Sequence, residues 1–190
     1  KNSNWINEIG EDLNNKYNET KENFNGLKNE IGAFREAEAV IISTCLFDTL
    51  PQEELLSGYA EMLKHGLISN RDTYNSLLDF NINSADTDRL LELLQQSVNV
   101  KRRIVNEDPT EKDIRRALNL GHTAGHAFES LALHRNHPIP HGYAVAWGLI
   151  VELVLSHTQL QFPSVELQRL ATYIYENYGS FNITCDDYPA

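Results

Sequence analysis

From Thr49 onward the apolar residues of this chain return every third or fourth position, and that period narrows the fold more than any other feature. "TLPQEELLSGYAEMLKHGL" opens with Thr49 and Gln52 at capping-box spacing. Pro51 follows in a first turn, where a missing N–H costs nothing, and Gly66 marks the expected end. "SADTDRLLELLQQSVNVKRRIVNEDP", starting at Ser84, sets Leu90, Leu91, Leu94, Val98 and Val105 on one stripe until Pro109. Thr110 with Asp113 reads as a further N-cap, and two more helical stretches are predicted at about 142–160 and about 165–178. The body is therefore predicted to be mainly α. Upstream, residues 1–36 are rich in Asn, Glu and Lys, and "AEAVIISTCLF" then carries one β-branched run that fits a buried strand. One strand cannot make a sheet.

Charge and composition limit the partners. A chain of 190 residues with 41% hydrophobic content can bury a core, and its net charge of −11 argues against non-specific binding to nucleic acid or to an anionic membrane. A small-molecule ligand stays open. No apolar run in the sequence approaches 18 residues and the first 26 residues are polar, so neither a membrane span nor a secretory signal is expected, and a cytoplasmic location is. Cys45 and Cys185 stand far apart without a metal-binding spacing.

The chemistry concentrates in "ALNLGHTAGHAFES". His122 and His126 lie four apart and share one face of any helix, where they point toward a metal, a substrate or only the core. Two imidazoles are half a metal site; a third protein ligand is needed, and the internal Glu of HExxH is missing. Two residues elsewhere bear on this. His141 in "HGYAVAWGL" begins a Gly- and Ala-rich helix, where small neighbours suggest close approach. Glu61 in "SGYAEMLKHG" lies among apolar residues that would bury its carboxylate, so it needs a metal or a cation; Lys64, three positions on, offers a plain salt bridge instead. Between Lys101 and Arg116 six cations face four carboxylates, a local surplus of +2 in an acidic chain. Such groups bind a carboxylate or phosphate when gathered beside a metal, but Arg102, Arg103, Lys112 and Arg116 read better as a solvated face.

"GLKNEIGAF", "TLPQEELLSGYAEMLKHGLI", "VKRRIVNEDPTEKDIRRALNLGHTAGHAFE" and "HGYAVAWGL", in this order, resemble the second half of 3-dehydroquinate synthases. The resemblance runs from about Asn23 to Ala190 and is densest between Thr49 and Gly148. It implies the helical C-terminal domain of that fold across 49–190, and a tail across 1–48 that ends in a strand left from an α/β nucleotide-binding domain. It also implies a zinc or cobalt ion on Glu61, His122 and His141, and a hydrogen-bonding or proton-transfer role for His126. Lys64, Lys101, Arg115, Asn119 and Asn29 match substrate-binding positions of the family, while Lys28 and Leu46, Phe47, Asp48 and Thr49 match positions that touch NAD.

The implied reaction converts 3-deoxy-arabino-heptulosonate 7-phosphate to 3-dehydroquinate and phosphate, with NAD regenerated and the leaving phosphate serving as base. Lys and Arg would hold the anionic groups of that substrate. Departures from the family pattern are equally informative. No GxGxxG occurs, Glu19 falls where the family has a lysine, and the chain ends at "DDYPA", short of the family's last helices. The expectation is a chain inactive by itself and paired as a homodimer through an unpartnered strand at 38–44. Two other readings compete: another sugar phosphate cyclase, such as a 2-deoxy-scyllo-inosose synthase, and a non-catalytic helical interaction module. A helical metal phosphohydrolase would require an adjacent His-Asp pair, and the sequence has none.

Overall fold

Six α-helices and two short 3₁₀ turns make up the described part of the chain, residues 47, 49–83 and 86–187 of a computed structural model. All of these lie in one compact unit, Ser43–Ala190, and no strand occurs among the described residues. The strand expected near 38–44 lies outside them, as do Lys28, Asn29, Leu46 and Asp48.

The helices are α1 (Gln52–Leu67), α2 (Arg71–Leu78), α3 (Thr87–Glu107), α4 (His122–His134), α5 (His141–Leu160) and α6 (Ser164–Tyr178). Helix α5 runs through the middle, with α4, α1 and α6 packed around it; α1 in turn carries α2 and α3. The shared core joins Tyr59, Ala60 and Leu63 of α1 to Val145, Leu149 and Leu153 of α5 and to Leu170 and Ile174 of α6. Burial of each large apolar side chain contributes about 1.5–3 kcal/mol, so these contacts outweigh any single helix propensity. Two of the buried tyrosines are satisfied here: Tyr59 donates to the Leu77 carbonyl and Tyr178 to that of Leu56, each at 2.9 Å, whereas the Tyr173 hydroxyl has no hydrogen-bond partner among the described residues.

By length and composition alone α5 could cross a membrane. Its apolar content has another explanation. Gly142, Ala144, Val145, Ala146, Gly148, Leu149 and Leu153 are buried inside the bundle, and Glu152 faces backbone N–H groups of the α4 start.

Local signals set several helix ends. Asn70 caps α2 by accepting from the Thr73 N–H, and Asp86 caps α3 by accepting from Arg89, both at 2.9 Å. The two C-terminal helices match their predicted ranges closely.

Other expectations need correcting. Pro51, not Thr49, occupies the N-cap of α1, and the Gln52 amide donates to Asn83 at 2.8 Å, so the capping box does not form around this helix start. Gly66 does not end α1, which runs to Leu67. A Cβ there would sit 2.8 Å from Leu77 Cδ1 and 3.1 Å from Tyr74 Cα, so the glycine admits α2 rather than terminating α1. The buried stripe of α3 is Leu90, Leu93, Ser97 and Ile104, rotated from the predicted one, and Val98 is exposed. Ser97 holds its core position because its hydroxyl meets Nδ1 of buried His65 at 2.7 Å. After Pro109 no α-helix starts at Thr110. The carboxylate of Asp108 accepts from the N–H groups of Lys112, Asp113 and Arg115, and a 3₁₀ turn, Ile114–Asn119, takes the helix's place.

Candidate active site

Three helices deliver one side chain each to a common point. Glu61 comes from the middle of α1, His122 from the first residue of α4 and His141 from the first residue of α5. One ligand atom from each lies within 4.8 Å of the others. His122 Nε2 is 3.5 Å and His141 Nε2 3.9 Å from Glu61 Oε1. Ligand atoms around a tetrahedral ion with bonds of about 2.0–2.1 Å lie about 3.3 Å apart, so a small closure of the triad would complete such a shell.

Glycines make the convergence possible. Gly121 at the start of α4 is left-handed, with φ 81°. A Cβ at Gly148 would stand 2.0 Å from the Gly121 carbonyl oxygen, and one at Gly142 would stand 2.0 Å from that of Ser57. The first contact sets α4 against α5 and the second sets α5 against α1. Glu152 completes the frame, since its carboxylate accepts from the N–H groups of Gly121, Thr123 and Ala124 at 2.8, 3.1 and 3.3 Å. A side chain from α5 thus supplies the cap that Gly121 cannot.

The protonation pattern suits a cation. Glu61 Oε2 accepts from Lys64 at 2.7 Å, while Oε1 is buried and has no hydrogen-bond partner. Burial pushes the Glu61 carboxyl up, but the Lys64 ammonium outweighs it and, with His122 and His65, holds the group below the usual carboxylate range. Burial and the charge of Lys64 lower the pKa of His122 and favour its neutral ring. Its Nδ1 lies 3.3 Å from the Leu120 carbonyl, which can only accept, so the proton belongs there and the Nε2 lone pair turns toward Glu61. An orphaned carboxylate oxygen facing two imidazole nitrogens is a donor set that fits zinc or cobalt. The salt bridge to Lys64 occupies one oxygen of Glu61 and leaves the other, among the described residues, free of hydrogen bonds beside the two imidazoles.

Beside the triad a cleft of about 210 Å³ is lined by Glu61, Lys64, His65, Lys101, Glu111, Arg115, Leu118, Asn119 and His122. Four predicted substrate residues, Lys64, Lys101, Arg115 and Asn119, are thereby gathered in one place. Lys64 is 2% exposed, and burial with the Lys101 charge lowers its pKa against the pull of Glu61. Arg115 donates to the Pro109 carbonyl at 2.8 Å, held by the Asp108 turn. His126 stands one turn along α4, its ring 5.7 Å from that of His122 and 6.0 Å from that of His141. Phe47 packs against the core, Thr49 is exposed, and neither lines the cleft. Arg102, Arg103, Lys112 and Arg116 are exposed, as the solvated reading expects. A separate recess of about 160 Å³, between α1, α2 and the start of α6, holds none of the predicted site residues.

Sequence reasoning missed four groups that build the site. Glu111, with φ 55°, accepts from the Asn119 amide at 2.8 Å. Glu129 bridges two histidines, and its place three residues after His126 was a readable signal. Asp108 and Glu152 act on backbone N–H groups, and no pattern in the sequence announces that.

The geometry defines a class: an α-helical domain with a two-histidine, one-carboxylate centre beside a cation-lined cleft. Residues 58–188 match the family described as 3-dehydroquinate synthase C-terminal. The chain is 50% identical over 166 residues to a 3-dehydroquinate synthase of Parabacteroides distasonis, an alignment covering 87% of this chain and 47% of that protein. It is 41% identical over 155 residues to one from Streptococcus pyogenes (82% and 42%) and 44% over 142 residues to one from Oceanobacillus iheyensis (74% and 39%). The chain therefore belongs to the 3-dehydroquinate synthase family, and its described helices are that family's C-terminal domain. It spans a little under half the length of these relatives.

Proposed function

We propose that these residues form the metal- and anion-binding half of a 3-dehydroquinate synthase, acting on 3-deoxy-arabino-heptulosonate 7-phosphate with NAD and a zinc or cobalt ion. The observation that carries the reading is the orphaned Glu61 Oε1 facing two imidazole nitrogens at the mouth of a cation-lined cleft. Glu61, His122 and His141 would hold the ion. The ion would supply Lewis-acid polarisation at a substrate oxygen, and NAD would supply reversible hydride acceptance.

The remaining work belongs to side chains of this chain. Lys64, Lys101 and Arg115 offer charge-assisted hydrogen bonds to the substrate's carboxylate and phosphate, and Asn119 adds a neutral donor. Lys64 serves two partners, because its ammonium also keeps Glu61 ionised. The leaving phosphate would be the base for elimination, and His126, its ring 5.7 Å from that of His122, offers an imidazole outside the triad to relay a proton. Of the residues assigned to NAD, Phe47 and Thr49 alone are described, and Asn29 of the substrate set lies outside the described residues. A homodimer in the cytoplasm belongs to the same reading.

Phosphate release from the heptulosonate substrate, measured with and without NAD, tests it. A chain extended to the full length of the relatives should release phosphate only with NAD and a divalent metal. His122→Ala should abolish this, and Lys64→Ala or Arg115→Ala should lower kcat/KM on the order of 10²-fold. The 190 residues alone should release none, because the chain spans a little under half of its relatives. NAD-dependent release from the 190 residues would defeat the half-site claim. Silence from the extended chain would defeat the function.

A further inference from the structure

Each oxygen of Glu129 is taken by a different imidazole. Oε2 lies 2.9 Å from Nδ1 of His126, three residues earlier on α4, and Oε1 lies 3.0 Å from Nδ1 of His141 at the start of α5. An ionised carboxylate only accepts, so both contacts require the proton on Nδ1. A neutral imidazole has one N–H. The Nε2 lone pair is thereby exposed on both rings, and on His141 that atom is the one 3.9 Å from Glu61 Oε1.

We propose that Glu129 is a positioning residue that fixes the tautomer of His141 and His126 together, so that one carboxylate orients a candidate metal ligand and the neighbouring histidine as a unit. The inference rests on the metal reading for what His141 does, but not for which nitrogen carries its proton. A carboxylate behind a metal-bound imidazole fixes ring orientation and raises ligand basicity. Here the same carboxylate spans two rings, so movement of one ring on binding a ligand is transmitted to the other.

A rival use of these atoms exists, because His126, Glu129 and His141 also lie within 4.8 Å of one another and could hold an ion themselves. The hydrogen bonds argue against it. Both Glu129 oxygens already have an imidazole nitrogen at hydrogen-bond distance, whereas Glu61 keeps an oxygen with no partner among the described residues.

Glutamine at this position is the sharpest probe. Its oxygen can accept from one ring, but its NH₂ must face the other, which can stay bonded only by moving its proton to Nε2. Long-range proton–nitrogen NMR spectra of the metal-free, nitrogen-15-labelled chain at pH 8 read this directly. The unmodified chain should show His126 and His141 as Nδ1–H tautomers, and Glu129→Gln should switch at least one of them to Nε2–H. Cobalt titration followed by visible absorption should show one ion per chain, bound about 10- to 100-fold more weakly in Glu129→Gln. An unchanged melting temperature would separate this loss from unfolding. Should Glu129→Gln not fold, Glu129→Asp makes the same test, since its shorter side chain can reach only one ring. Unchanged tautomers in the variant would overturn the proposal, as would a second cobalt equivalent that disappears in His126→Ala. A switch of tautomer in a chain that binds no cobalt would uphold the positioning role and overturn the metal reading alone.

Discussion

Replacing Gly148 with alanine adds a single carbon where α4 and α5 cross. That carbon would lie 2.0 Å from the Gly121 carbonyl oxygen and 2.8 Å from the Gly125 nitrogen, both backbone atoms that no rotamer can move. Ordinary contact begins near 3.4 Å, so the helices must part by about 1.4 Å. Overpacking of this kind costs about 1–3 kcal/mol, offset by the roughly 1 kcal/mol that alanine gains over glycine inside a helix. The net loss, about 0–2 kcal/mol, should lower the melting temperature by a few degrees at most in a chain of this size. The larger effect falls on the site. Gly121 precedes His122, so the displacement moves that ligand away from His141, and a shift of about 1 Å in a positioned group costs on the order of 10²-fold in function. Calorimetry of the chain and cobalt affinity measured on the same sample check both parts. An alanine variant with the melting temperature and cobalt affinity of the original would refute the claim that this backbone contact sets the geometry of the triad.

Glu152→Ala removes three acceptors from the start of α4 and should cost about 1–2 kcal/mol, the range of a lost N-cap, read by thermal melting; Glu152→Gln should recover part of it. His65 supplies a pH dependence. Burial, with the charge of Lys64, lowers its pKa from 6.5 to about 4, so below pH 6.5 the unfolded chain takes up a proton that the folded chain refuses. Stability should therefore be full above pH 6.5 and fall as the pH drops toward 4, by about 3 kcal/mol at most. Denaturant titrations at pH 7 and pH 5 on the metal-free chain measure it, and His65→Gln should flatten the difference; an equal slope in that variant would place the effect elsewhere.

Short-range order was legible in the sequence because it depends on neighbours. The helical period predicted α1, α3, α5 and α6, and four-residue spacing put His122 and His126 on one face, since a helix returns to the same side each turn. The candidate ligand set and the candidate anion-binding residues became legible only through resemblance to a family; from spacing alone Glu61 could equally have been half of a salt bridge. Long-range order belonged to the tertiary structure. Helical periodicity put Val98 on the buried face of α3, but Ser97 takes the core position because His65, on another helix, gives its hydroxyl a partner. Gly66 read as a helix stop, yet its missing side chain makes room for α2. Glu129 was readable only as a partner of His126 on its own helix, and the packing of α5 on α4 brings it a second imidazole and brings Glu152 to three unpaired N–H groups. The physical reason is the same in each case. A period reports which residues share a face, whereas a polar side chain's role depends on the donor or acceptor that packing brings to it, and packing here is decided where backbone touches backbone at Gly121, Gly142 and Gly148.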